Sequence, residues 1–192
     1  MTNFLKSRMV KFCIAELILA IIVISAYFYY KDYKANLVPY EPFAITANGL
    51  TLNAIPAAPI MEGMAEGDLM IAAPEGSKIF AKGGLNYVVA NATGMDEIYY
   101  SLCSTKIIDG KVNVVENFNP SQDKLIIFCG HHEIKPEEIK IIHTEFQNIP
   151  ITYVHVIGQH QDTAIALLGN IDIKSEDIIL NQRWDATSTI VK

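Results

Sequence analysis

Residues 78 to 103 read KIFAKGGLNYVVANATGMDEIYYSLC, and the fold turns on how this stretch is divided. Lys78–Ala81 and Leu85–Ala90 place apolar residues on either side of Gly83-Gly84, which predicts two strands joined as a hairpin. Asn91 to Ser104 then reads as a helix. Thr93 or Asp96 stands where an N-cap belongs, and Met95, Ile98, Tyr99 and Leu102 recur at three- and four-residue steps.

Downstream, Val112–Val115 is expected as a short strand after the Asp109-Gly110 turn, and Leu125–Cys129 as an apolar strand ended by Gly130. Pro136 suits the first turn of a helix running through Ile139, Ile142 and Phe146, with Glu137 and Glu138 favourable at its N-terminus. Ile151–Ile157, Thr163–Leu168 and Ile171–Ile173 read as strands, with Ile178–Leu180 a further one. Upstream, Gly49, Pro56, Pro59, Gly63, Gly67, Pro74 and Gly76 punctuate a loop-rich stretch, with a helical turn or two at Ile60–Glu66. Early helices followed by late strands predict an α+β domain with a mainly antiparallel sheet.

At the N-terminus, Phe12 to Tyr30 is FCIAELILAIIVISAYFYY, whose only carboxylate is Glu16. About 20 apolar residues span a bilayer core of roughly 30 Å, so a transmembrane helix is expected within residues 12–37. Lys6, Arg8 and Lys11 precede it and place residues 1–11 in the cytoplasm. Pro39 and Pro42 end the helix, leaving 38–59 as a linker and 60–192 as an extracytoplasmic domain. A carboxylate in such a span marks a functional position by default, although Glu16 lies only about one turn beyond Lys11, near the hydrated interface.

The chain has 192 residues and a net charge of −6; residues 35–192 hold ten Lys/Arg against nineteen Asp/Glu. An acidic domain of this kind argues against nucleic acid or anionic lipid surfaces as partners. Beyond Cys13, the cysteines are Cys103 and Cys129, an even pair in a compartment expected to be oxidising. A disulfide between them would close a loop of about 26 residues and contribute about 3 kcal/mol in the chain-entropy model. The alternative is two buried thiols.

Phe12-Cys-Ile-Ala-Glu16-Leu, after a short basic leader and before a long aliphatic helix, resembles the start of a mature type IV pilin. The run Leu85 to Met95, leading through Gly94 to Cys103, is similar to the head of type IVb pilins and the thin pilins of conjugative plasmids. The resemblance implies cleavage before Phe12, pairing of Glu16 with a neighbouring subunit's terminal amine, and Cys103 and Cys129 as the head's disulfide. It implies a pilin-like structural subunit of a pilus, conjugation or secretion apparatus. Its partners would be related subunits met through the helix, envelope machinery proteins and membrane lipid, and its place the bacterial inner membrane with a periplasmic head. Lys11, where the family has Gly, and the early prolines favour a second reading: an uncleaved single-pass component of an envelope complex whose head docks proteins.

Catalytic chemistry finds little purchase in the sequence. Cys129-Gly-His131-His132-Glu133, with His143, His155 and His160, lacks the HExxH, HxxEH and CxxC spacings, and adjacent histidines on an extended chain point apart. No GxSxG or P-loop occurs, and Asp172, Glu176 and Asp177 lack the EF-hand ligand order. Trp184, the single tryptophan, is expected to pack against the sheet edge rather than act as a recognition anchor. The expectation is a protein without enzymatic activity, cofactor or metal.

Overall fold

A computed structural model describes residues 21–29, 41–42, 53–64, 67–102, 110–131, 133–157 and 163–185. The chain divides into two compact units, Met1–Leu37 and Val38–Lys192. In the first, residues 21–29 are helical and exposed throughout. Residues 12–20 and 30–37 of the expected span lie outside the described residues. Among the described residues no helix is long and apolar enough to cross a membrane. The single-pass span is corrected accordingly, and with it go the inner-membrane placement, the lipid contact and the subunit partners met through that helix.

The second unit is built from strands: β1 (Glu41–Pro42), β2 (Asn53–Ile55), β3 (Ile60–Glu62), β4 (Asp68–Ile71), β5 (Lys78–Ala81), β6 (Tyr87–Val89), β7 (Glu97–Ser101), β8 (Lys111–Glu116), β9 (Lys124–Phe128), β10 (Ile139–Phe146), β11 (Ile149–Val156), β12 (Thr163–Leu168) and β13 (Ile179–Leu180). From β2 to β9 the chain alternates between two sheets, and each strand lies parallel to the one two places before it. Every turn of this flattened coil lays one strand on each sheet, an architecture of solenoid type in which each turn rests on its neighbours. β12 and β13 continue it, parallel to β8 and β9, after the antiparallel hairpin β10–β11 has been inserted. The larger sheet runs β10-β11-β12-β8-β6-β4-β2, with β1 beside the start of β8; the smaller runs β13-β9-β7-β5-β3.

The expected α+β head with a mainly antiparallel sheet is therefore replaced by mixed, mostly parallel sheets, and the pilin reading falls with it. The helix expected over Asn91 to Ser104 contains β7 instead. Ile98 and Tyr100 enter the core between the sheets while Tyr99 packs on the outer face, all three fully buried. A strand buried on both faces reads as a near-continuous apolar run, which a helical template also matches. The same ambiguity explains residues 136–146: Pro136–Glu138 is one 3-10 turn, and β10 follows at once. The turn to β11 uses Gln147 and Asn148 at φ 52° and 66°, the pair of positive values that a type I′ hairpin turn requires. Gly83-Gly84 closes no hairpin, because β5 and β6 belong to different sheets. Ile60–Glu62 is β3 rather than a helical turn, and Ile171–Ile173 forms no strand.

Met61, Met70, Ile79, Val88, Ile98, Val115, Leu125, Ile127, Ile165 and Leu167 fill the space between the sheets. Each such side chain stabilises the fold by about 1.5–3 kcal/mol through burial. Two ladders of polar side chains cross the same interior. In one, Asp68 N–H donates to Asn86 Oδ1 (3.1 Å) and Asn86 N–H to Asn113 Oδ1 (2.6 Å). In the other, Ser77 N–H donates to Asp96 Oδ1 (2.7 Å) and Asp96 N–H to Asp123 Oδ1 (2.9 Å). The rungs lie 18 and 27 residues apart in the first ladder and 19 and 27 in the second, so each joins successive turns.

Candidate functional site

The outer face of the smaller sheet brings chemistry-bearing side chains together. Parallel register aligns Lys78, Glu97 and Lys124 in one row, and Glu62, Phe80, Tyr99, Ile126 and Ile179 in the next. Neighbouring rungs sit about 4.8 Å apart, so a charged stripe runs beside a largely apolar one along the coil axis. Lys124 Nζ is 3.0 Å from Glu97 Oε1, and Lys82 Nζ is 2.7 Å from Glu62 Oε2. The Tyr99 hydroxyl donates to Glu97 Oε2 at 3.1 Å, and burial beside Glu97 raises the hydroxyl's pKa. Phe80 meets Phe128 at 5.8 Å between ring centroids.

The segment after β13 lies across this face. Asn181, at φ 63°, fastens it: its amide accepts from Ile134 N–H and donates to Ile134 O, both at 2.8 Å. Gln182 Nε2 donates to the Tyr99 hydroxyl (3.0 Å), and Arg183 donates to Gly130 O (3.3 Å). Trp184 packs on Phe80 at 5.3 Å and edge-on to Tyr99 at 5.1 Å, while its Nε1–H donates to Glu62 Oε1 at 2.6 Å. Lys78 is 1% exposed. Its ammonium lies 5.4 Å from the Tyr99 ring centre and 5.3 Å from that of Trp184, and donates to Asp185 O at 2.5 Å. Bonds from Lys82 and Trp184 hold the Glu62 carboxyl below the usual carboxylate range. The arrangement can orient an aromatic ring, satisfy its N–H and grip one backbone carbonyl.

Of the residues singled out from sequence, Phe12, Glu16, Cys103, His132 and His160 lie outside the described residues. Cys129 follows β9, half-buried against the main core. His131 is exposed, His143 Nδ1 sits 3.1 Å from Thr152 Oγ1, and His155 is buried in β11. Among the described residues no three His, Cys, Asp or Glu side chains converge as metal ligands. Asp177 and Glu176 form a solvated 3-10 turn in which Asp177 Oδ2 accepts from Lys174 N–H. Trp184 packs on the sheet's face, not its edge.

Sequence reasoning missed the aligned stripes, although a signal was present. Ser77-Lys-Ile-Phe-Ala, Asp96-Glu-Ile-Tyr-Tyr and Asp123-Lys-Leu-Ile-Ile share one order: a short polar residue, a charge, then three residues that are mostly apolar. No family model, curated protein or solved structure matches the chain.

Proposed function

We propose that this chain is a non-catalytic interaction module, a rigid β-coil that uses the outer face of its smaller sheet to bind another protein. The observation that carries the reading is the Lys78–Glu97–Lys124 stripe lying beside Phe80, Tyr99 and Ile126, with an indole already seated on it. Large aromatic anchors ringed by paired charges are the usual makings of a protein-binding hot spot. Lys124 pairs with Glu97 and Lys82 with Glu62, so the aromatic seat is flanked by fixed charges of both signs.

A photoreactive benzoylphenylalanine at Lys82, in the full chain in its producing cell, tests this. The same group at Glu145, exposed on β10, is the control. A discrete heavier adduct from position 82 and none from position 145 is expected; equal labelling at both, or none at 82, would overturn the reading. We further propose the Cys103–Cys129 bridge. β7 and β9 are paired neighbours with Ser101 opposite Phe128, so a bridge just beyond them would tie two turns together. Alkylation without reductant, read by peptide mapping so that Cys13 is scored apart, should leave Cys103 and Cys129 unmodified, and modification of either would refute the bridge.

A further inference from the structure

The seated segment suggests what kind of partner the face takes. We propose that it recognises an extended peptide bearing a tryptophan, and that residues 181–185 occupy it in cis as a displaceable strap. This rests on the reading of the face as protein-binding.

Three features fit an indole followed by an extended backbone. Glu62 accepts the indole N–H, Phe80 and Tyr99 supply a face and an edge for the ring, and Lys78 takes the carbonyl of the next residue. The strap's grip centres on that one ring: Trp184 is half-buried, while Arg183 and Asp185 on either side are exposed. Its other side-chain fastenings, Asn181 on Ile134 beside the end of β13, Gln182 on the Tyr99 hydroxyl and Arg183 on Gly130 O, do not involve the indole. Release of Trp184 would therefore expose the seat while leaving the last strand anchored. A short tether holds its own ligand at an effective concentration on the order of millimolar, enough to mask a seat of moderate affinity.

The probe is a fluorescein-labelled hexapeptide, NQRWDA, titrated by anisotropy against the full chain and against Trp184→Ala. The variant should bind it saturably and about tenfold more tightly than the parent. Glu62→Gln in the Trp184→Ala background should weaken binding several-fold, and the peptide NQRADA should not bind. Absence of saturable binding to a Trp184→Ala chain that still unfolds cooperatively would overturn the proposal, as would equal binding by parent and variant.

If Trp184→Ala does not fold, 5-fluorotryptophan in the parent chain gives a single 19F resonance, because Trp184 is the one tryptophan. Excess peptide should move that resonance to its solvent-exposed position, and no movement would refute the strap. Adducts from position 82 without peptide binding would sink the tail-like partner and leave the protein-binding face standing. Peptide binding without adducts would do the reverse.

Discussion

On one side of the coil Asp68, Asn86 and Asn113 stack turn upon turn; on the other Ser77, Asp96 and Asp123 do the same, with carboxylates as the acceptors. Both ladders answer one need. A backbone N–H at the start of a strand, buried beside the next turn, requires an acceptor, because leaving it unmade costs about 1–3 kcal/mol. An amide oxygen and a carboxylate oxygen serve equally. The remaining atom of the side chain decides the residue type. Asn86 Nδ2 donates to Gly83 O within its own turn (3.0 Å), where a carboxylate would face a carbonyl. Asp96 and Asp123 instead collect a second N–H from the preceding loop, Asn91 at 2.6 Å and Asn119 at 2.8 Å, where an amide nitrogen would collide. The loops' backbone groups thus account for Asn86 in one ladder and for Asp96 and Asp123 in the other; Asp68, in the first ladder, is a carboxylate for the same reason, since its Oδ2 accepts from Met64 N–H at 2.6 Å. The carboxylate corner carries a cost: burial, with Asp123 facing it, pushes Asp96 up to about 6 against the opposing bonds from Asn91 and Ser77, and burial raises Asp123 as well.

Exchanging the chemistry of the amide corner should produce the largest effect. Asn86→Asp removes the donor to Gly83 O and sets a second buried carboxylate beside Asp68. We expect a loss of about 3 kcal/mol or more at pH 7 by urea denaturation. A loss below about 1 kcal/mol would mean that the amide's second atom is not what selects the residue. Next in size is a steric constraint at the carboxylate corner. A Cβ on Gly94 would run into the backbone of Gly76, and one on Gly76, at φ 98°, into Met95. Gly94→Ala should cost about 2–3 kcal/mol. Gly130→Ala, where an added Cβ meets nothing within 4 Å, should stay within about 0.5 kcal/mol. Similar losses at both sites would show that the turns do not stack as closely as the ladder demands.

Much of the strand content was legible. Lys78–Ala81 and Thr163–Leu168 coincide with β5 and β12, and the expected strands at 112–115 and 125–129 fall on β8 and β9. What failed was connection. Rungs 18, 19 and 27 residues apart give no fixed period, so the repeat that marks a solenoid was hidden by unequal loops. β7, apolar on both faces, carries its partners in other turns, and no local rule weighs those contacts. The ladders stay hidden in the sequence because local rules make Asp96 a helix cap and Asn86 part of a strand. The candidate face was partly visible as Trp184, but its seat is assembled from residues more than 80 positions earlier, including Glu62, Lys78, Phe80 and Tyr99.

Protonation offers the finest comparison of the two corners. Because the folded-state pKa of Asp96 is raised, its protonated form favours the fold. That contribution is fully present below the ordinary carboxylate range and is lost as pH climbs through about 6. Asp96→Asn stays neutral throughout, and it gives up one acceptor, so it should be the less stable protein at pH 5. Between pH 5 and pH 7.5 the parent alone loses the proton-linked contribution, and the gap should narrow by about 1–2 kcal/mol. Urea melts of both proteins at the two pH values measure this directly, with titration of groups other than the facing Asp123 cancelling in the difference. A gap that widens with pH would mean that the Asn91 and Ser77 bonds outweigh burial and that the ladder prefers its charge. The carboxylate corner would then be an anion site built by backbone N–H groups, and the amide corner its neutral counterpart by geometry alone.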